Sequence, residues 1–328
     1  MKLRPVALRP ACIAVTLILF ASTANAQIVG IATNPQGTLG YSTGVAVAKV
    51  MTEKGGVIAR VQPAGGSTAY IPLINRGEIE FGFSNALETH YAFTGTGTFD
   101  KKPNPNIRLV GVVYPLRTGL ATAADSGVKT IYDLKKLKGK RIASEFTTLS
   151  IIHNYIAGGL ANGGLSYDDF TKVPVSDFSK GMSALGEGTV DITLISVGSG
   201  DSHKVNVELR SRGGFRYVDQ DDSPEAMKRL HVVMPGAGIA YMQPGPQIPG
   251  VPEPTRILQL DYFLLVHKST PDDLVYKVAK AVAENKDALA ASLNAFQQFD
   301  PKKMAPEHVT PYHPGALRYY KDAAIPAK

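Results

Sequence analysis

The chain has 328 residues, a formal charge of +7, one cysteine and no tryptophan. That length suggests about two domains, each able to bury a full core without disulfide staples. Its basic residues are spread out rather than clustered among aromatics, which argues against a nucleic-acid partner.

The first 26 residues place Lys2, Arg4 and Arg9 ahead of an apolar run through Leu19 and Phe20, ending in Ala24-Asn25-Ala26. This pattern is that of a secretory signal with a small-residue cleavage site. Cleavage after Ala26 would remove three basic residues and lower the charge from +7 to +4. It would also remove Cys12, leaving no thiol chemistry and no cysteine-based metal site. A periplasmic protein without a membrane anchor is expected.

Next, "IVGIATNPQGTLGYSTGVAVAKV" gives a short apolar strand, a polar loop and a helix-like periodic run. Gly30, Gly37 and Gly40 match neither the dinucleotide fingerprint nor a P-loop, so a nucleotide is not expected there. "ARVQPAGGSTAYIPLINRGEIEFGFSN" follows with strand, polar loop, helix, glycine, acid and strand. Residues 109–123, "LVGVVYPLRTGLATA", form a long β-rich run.

The same design then returns at an offset of 111 to 113 residues. "RIASEFTTLSIIHNYIAGGL" parallels the first segment and "TKVPVSDFSKGMSALGEGTVDITLIS" the second. Val61 matches Val173, Ser67 matches Ser179, Gly77 matches Gly188 and Glu80 matches Asp191. Gly77 and Gly188 stand where a helix must stop, because glycine enters the left-handed region without a Cβ clash. Residues 234–255 carry six prolines, which forbid a regular helix or a central strand. Connector and ligand-facing loop are equally open readings of that segment. A second β-rich run, residues 256–268, precedes a helix that Ser269 or Thr270 can cap, with Pro271 at its first position and Asp272 and Asp273 in its first turn.

These elements predict an α/β protein of two similar lobes joined by two hinge crossings, with a ligand cleft between them. The expected boundaries are residues 1–26 for the signal, 27–116 plus 262–328 for the first lobe, and 117–261 for the second. Ligands of open parallel sheets gather beyond the carboxyl ends of strands, near helix N-termini. One wall would therefore hold Asn34, Gly37, Thr38, Ser67, Ser84 and Asn85, and the other Thr147, Thr148, Ser150 and Ser199. Backbone N–H groups at such loops favour a small anionic solute. Thr38, Thr147, Thr148 and Ser150 could equally serve only as helix caps. Arg117, near the first crossing, could grip a carboxylate in a bidentate pair or lie solvated on a strand edge.

No G-x-S-x-G elbow surrounds Ser199 and no H-E-x-x-H is present, which sets those catalytic readings aside; no spacing argues for a metal, and no cofactor is expected.

The segments "GTLGYSTGVAVAKVM", "AGGSTAYIPLINRGEIEFGFSNALETHYAF", "VVYPLRTGLATAADSGVKTIYDLKKLKGKRIA" and "HPGALRYYKDAA" resemble the TAXI-type extracytoplasmic solute receptors of TRAP transporters. The likeness runs through most of the chain beyond the signal. It implies the type II periplasmic-binding-protein fold and a receptor that delivers a small, usually carboxylated solute to a TRAP membrane permease. Tyr114-Pro115 matches the family, which adds Tyr114 to the candidate residues. The family loop commonly reads Gly-Thr-Tyr-Tyr-Pro, and Leu39 and Gly40 replace its tyrosines here. Ser84-Asn85-Ala86 likewise replaces a common Gln-Ser-Asp. The alternatives are a receptor of the same fold serving an ATP-driven importer or sensor kinase and, more distantly, a secreted hydrolase using Ser67 or Ser199.

Overall fold

The structure is a computed structural model describing Met1 and residues 28–327. The expected export signal, with Cys12, otherwise lies outside the described residues.

In the first part of the chain β1 (Ile28–Thr33), α1 (Leu39–Glu53), β2 (Ile58–Pro63), α2 (Ser67–Asn75), β3 (Phe81–Asn85) and α3 (Ala86–Thr94) alternate, and β4 (Ile107–Ala123) follows. Then come β5 (Arg141–Glu145), α4 (Ile151–Asn162), β6 (Thr171–Val175), α5 (Phe178–Gly186), β7 (Thr193–Ser196), α6 (Gly200–Glu208), β8 (Phe215–Tyr217) and α7 (Pro224–Val233). The chain ends with β9 (Gly238–Met242), β10 (Thr255–His267), α8 (Asp272–Glu284), α9 (Lys286–Ser292) and α10 (Pro314–Asp322).

The main sheet runs β2-β1-β3-β10-β4-β7, with β8 also on β4 and β9 also on β10. β1 is parallel to β2 and β3, whereas β10 is antiparallel to β3 and β4. β5 and β6 form a separate parallel pair, linked toward β7 by an Ile142–Ile192 bridge. This is a mixed α/β fold.

Two apolar cores hold it together, and the two long strands belong to both. Leu109 to Tyr114 of β4 and Tyr262 to Val266 of β10 pack in a core with β1, β3, α1 and α8. Leu120, Ala121 and Ala123 of β4, with Ile257, Leu258 and Leu260 of β10, pack in the other with α4, α5 and β7. On β10 the change of core takes two residues, from Leu260 to Tyr262. Each fully buried Leu, Ile or Phe in such a core contributes about 1.5–3 kcal/mol of transfer free energy.

The internal repeat extends to hydrogen bonding. Glu80 Oε2 accepts from the backbone N–H of Gly30 at 2.7 Å, and its counterpart Asp191 accepts from that of Arg141 at 3.0 Å. Gly77 and Gly188 both end their helices in the left-handed region, at φ +75° and +71°. Two details differ from expectation. Pro271 occupies the N-cap position of α8, one residue before the helix proper, and neither Ser269 nor Thr270 caps it. Within the proline-rich stretch, β9 pairs with the start of β10; Pro235 and Pro244 flank it, so no proline removes a ladder donor.

Candidate functional site

A cavity lies where the two cores meet. Asn34, Thr38, Leu39, Gly40, Ser67, Tyr70, Phe83, Ser84, Asn85, Glu88 and Tyr262 line it from the first core's side. Leu149, Ile151, Ile152, Tyr155, Phe178, Leu194 and Ser196 line it from the other, with Leu116 and Thr118 on β4 between them. A solute in this space touches both halves at once.

Five helices begin at the cavity. Thr38 caps α1 by accepting from Tyr41 N–H, and Asn85 caps α3 by accepting from Glu88 N–H. Ser67, Ile151 and Phe178 are the first residues of α2, α4 and α5. Each helix N-terminus carries roughly half a positive charge on its free N–H groups, so together they favour a negative group.

Opposing them is one buried acid. Glu88 is 1 % exposed. Its Oε2 accepts from Ser67 Oγ at 2.5 Å, Ser84 Oγ at 3.3 Å and Asn85 Nδ2 at 3.3 Å. Burial disfavours its charged form more than these three donors restore it, pushing its pKa up to about 7. No lysine, arginine or histidine is among the cavity-lining residues.

Tyrosines complete the polar surface. Tyr70 donates to the Phe83 carbonyl at 2.5 Å and Tyr262 packs against Phe83, with ring centroids 5.8 Å apart. The space expected from Leu39 and Gly40 is partly filled: a Cβ on Gly40 would sit 2.9 Å from both Tyr262 Oη and Asn34 Nδ2. A phenol from β10 thus occupies the region where the resemblance places loop tyrosines.

Five of the expected residues line this cavity, Asn34, Thr38, Ser67, Ser84 and Asn85; the expected threonine loop does not, and Leu149 and Ile151 take its place. Gly37 forms the turn before α1 at φ +92°, and its carbonyl accepts from Asp201 N–H of the other half at 3.0 Å. Thr147 and Thr148 donate to the Ser176 carbonyl at 3.0 and 3.1 Å, and Ser150 precedes α4 without a side-chain cap bond. Ser199 is a buried cap of α6.

Tyr114 and Arg117 line a second cavity, with Met242, Asn294 and Gln298. Tyr114 hydrogen-bonds Thr43, and Arg117 Nε donates to Gln259 Oε1 at 3.0 Å. For Arg117 the strand's two-residue alternation explains the separation: Leu116 and Thr118 face the main cavity, and Arg117 between them does not.

Glu88, Tyr70, Tyr155 and Tyr262 are the lining groups that sequence reasoning missed. The repeat holds a signal for one of them. Ser67 donates to Glu88 as its counterpart Ser179 donates to Asp201 at 2.8 Å, so the two acids are themselves counterparts. Neither Ser67 nor Ser199 is hydrogen-bonded to a histidine among the described residues, and both are held by other partners. Neither serine is therefore set in a Ser-His arrangement.

The sequence model of the NMT1-like family matches residues 31–323. Among solved structures, the fold is similar to MatC from Rhodopseudomonas palustris with bound malate, at TM-score 0.57 and 15 % identity over 84 % of this chain and 93 % of that one. It is also similar to PhnD1 from Prochlorococcus marinus in complex with methylphosphonate, at TM-score 0.55 and 11 % identity over 92 % of this chain and 100 % of that one. The alkanesulfonate-binding protein SsuA from Xanthomonas axonopodis pv. citri, bound to MOPS, matches at TM-score 0.50 and 15 % identity over 91 % and 94 %. At these identities the likeness is one of fold. Among the described residues no helix is long and apolar enough to cross a membrane.

Proposed function

The chain belongs to the NMT1-like family, and from that premise we propose that it is a periplasmic receptor for a small carboxylated solute, which it hands to a TRAP-type membrane permease. The observation that carries this reading is the cavity itself, walled by both cores and met by the N-termini of five helices. A ligand that touches both walls binds the closed form better than the open one and shifts the population toward it by that difference. The helix N-termini supply the attraction for a carboxylate without any cationic side chain. The apolar lining accommodates the rest of the solute. The malate, methylphosphonate and MOPS bound in proteins of similar fold are compatible with an acidic solute here. The TRAP permease rests on the sequence resemblance.

The test is a thermal-shift screen against malate, 2-oxoglutarate, glutamate and aromatic acids. A solute present at 100 times its Kd stabilises the folded state by about 2.7 kcal/mol, a readily measured rise in Tm. No rise with any acid would overturn the carboxylate reading. Transport in proteoliposomes assigns the permease: uptake driven by an ion gradient supports TRAP delivery, and uptake driven by ATP hydrolysis assigns the chain to an ATP-driven importer instead.

A further inference from the structure

Two residues that line the cavity each carry a buried polar atom with no hydrogen-bond partner among the described residues: Glu88 Oε1 and Tyr155 Oη. They come from opposite halves, Glu88 from α3 and Tyr155 from α4, and both side chains are nearly inaccessible, at 1 % and 2 %. An unpartnered buried polar atom costs about 1–3 kcal/mol, so two lining one cavity mark where a ligand supplies the missing bonds.

The protonation pattern follows from the partners. Oε2 already accepts from Ser67, Ser84 and Asn85. An oxygen that receives three donors is the acceptor oxygen of the carboxyl, so a proton on Glu88 resides on Oε1. The titratable groups facing Glu88 are the phenols of Tyr70 on α2, Tyr155 on α4 and Tyr262 on β10, whose ionisation its charge opposes. No cationic side chain lines the cavity to balance an ionised Glu88 beside an ionised solute. Two carboxylates sharing a dry site hold one proton between them.

We propose that Glu88 binds the solute's carboxylate as the neutral acid, donating from Oε1 alongside the Tyr155 hydroxyl, so that one proton enters the cleft with each solute. This inference rests on the carboxylate reading above. No bond in the solute breaks: the proton comes from the surrounding water, the solute keeps its charge, and the proton leaves when the cleft opens. A solute ammonium would demand the opposite, an ionised Glu88 and proton release.

The test titrates the protein with malate, 2-oxoglutarate and glutamate by calorimetry at pH 5.5, 7.0 and 8.5, in buffers of differing ionisation enthalpy. The expected result is an affinity that falls about tenfold per pH unit above about 7, with uptake approaching one proton. Glu88→Gln keeps an acceptor at Oε2 and a donor at the other position, so it should bind with little pH dependence and match the parent protein's acid-side affinity at pH 8.5. Tyr155→Phe should weaken binding several-fold at every pH and leave the slope unchanged. A carboxylate that binds equally at all three pH values without proton uptake overturns the proton role and leaves the receptor reading standing. A folded Glu88→Gln protein that no longer binds also overturns it. Failure of every acid at every pH removes the carboxylate reading itself. Tight binding of a simple amine such as putrescine, with proton release, overturns both.

Discussion

Gly66 of the first half meets Thr148 of the second so closely that any Cβ at position 66 would overlap the Thr148 carbonyl oxygen. The same carbonyl accepts a hydrogen bond from Thr68 Oγ1 at 2.8 Å. The first prediction follows from that contact. Gly66→Ala should exclude the closed arrangement while leaving each core intact, because the extended backbone at 66 accepts any residue. Small-angle scattering should show no contraction on adding solute, and affinity should fall at least about fivefold, since over-packing costs about 1–3 kcal/mol. Unchanged contraction would show that the halves can close without this contact.

Thr68→Val removes the hydrogen bond but keeps the shape. A neutral bond of this kind contributes about 1 kcal/mol net, so solute affinity should drop roughly fivefold. Calorimetry on the two proteins measures it, and an unchanged Kd would show that the bond forms equally in the open state.

Arg117 is half-buried in the second cavity and engaged with Gln259 and Met242. Arg117→Ala should therefore leave solute affinity within about twofold, well inside the 1.4 kcal/mol that a tenfold change requires. A loss of a hundredfold or more would restore the carboxylate grip that its place in the sequence suggests.

Glu88 also makes the empty protein sensitive to pH. Its folded pKa of about 7 lies above the unfolded value near 4.5. An acid shifted upward stabilises the fold fully below its unfolded pKa, and that contribution is lost as pH rises through the folded one. Stability should therefore decline between about pH 4.5 and 7, by on the order of 3 kcal/mol at most. Glu88→Gln should flatten this part of the profile in denaturant titrations; an identical decline in the variant would assign it to other groups.

The repeat, the two crossing strands and the helix-ending glycines were legible because each is a local constraint: apolar periodicity, run length, and a backbone angle that favours glycine. The polar loops at the strand ends could be read as such, and Asn34, Thr38, Ser67, Ser84 and Asn85 from them line the cavity. Glu88 was not legible. Three residues after Asn85 in the first turn of a helix, an acid reads as part of a cap, and Asn85 does accept from Glu88 N–H. Only the approach of Ser67 and Ser84 from other elements turns it into a buried group. Tyr155 and Tyr262 sit at positions that read as ordinary core. Which cavity Arg117 lines was not legible, because a strand reverses its side chains at every step and nothing local tells which face meets the cleft.

The place of β10 in the sheet also governs the order in which the molecule can assemble. It lies between β3 and β4, and Phe83 pairs with Leu264 across an intervening stretch that contains the whole of the second core. Contacts so distant along the chain are slow to form, because the loop must close before the pairing rewards it. The second core, Leu87 apart, draws on residues 120–260 and can gather early, whereas β3 keeps an unpaired edge until the last third of the chain arrives. The half of the molecule that starts first is the one that finishes last, and refolding followed by hydrogen exchange should see β1 and β3 protected after α4 and β7.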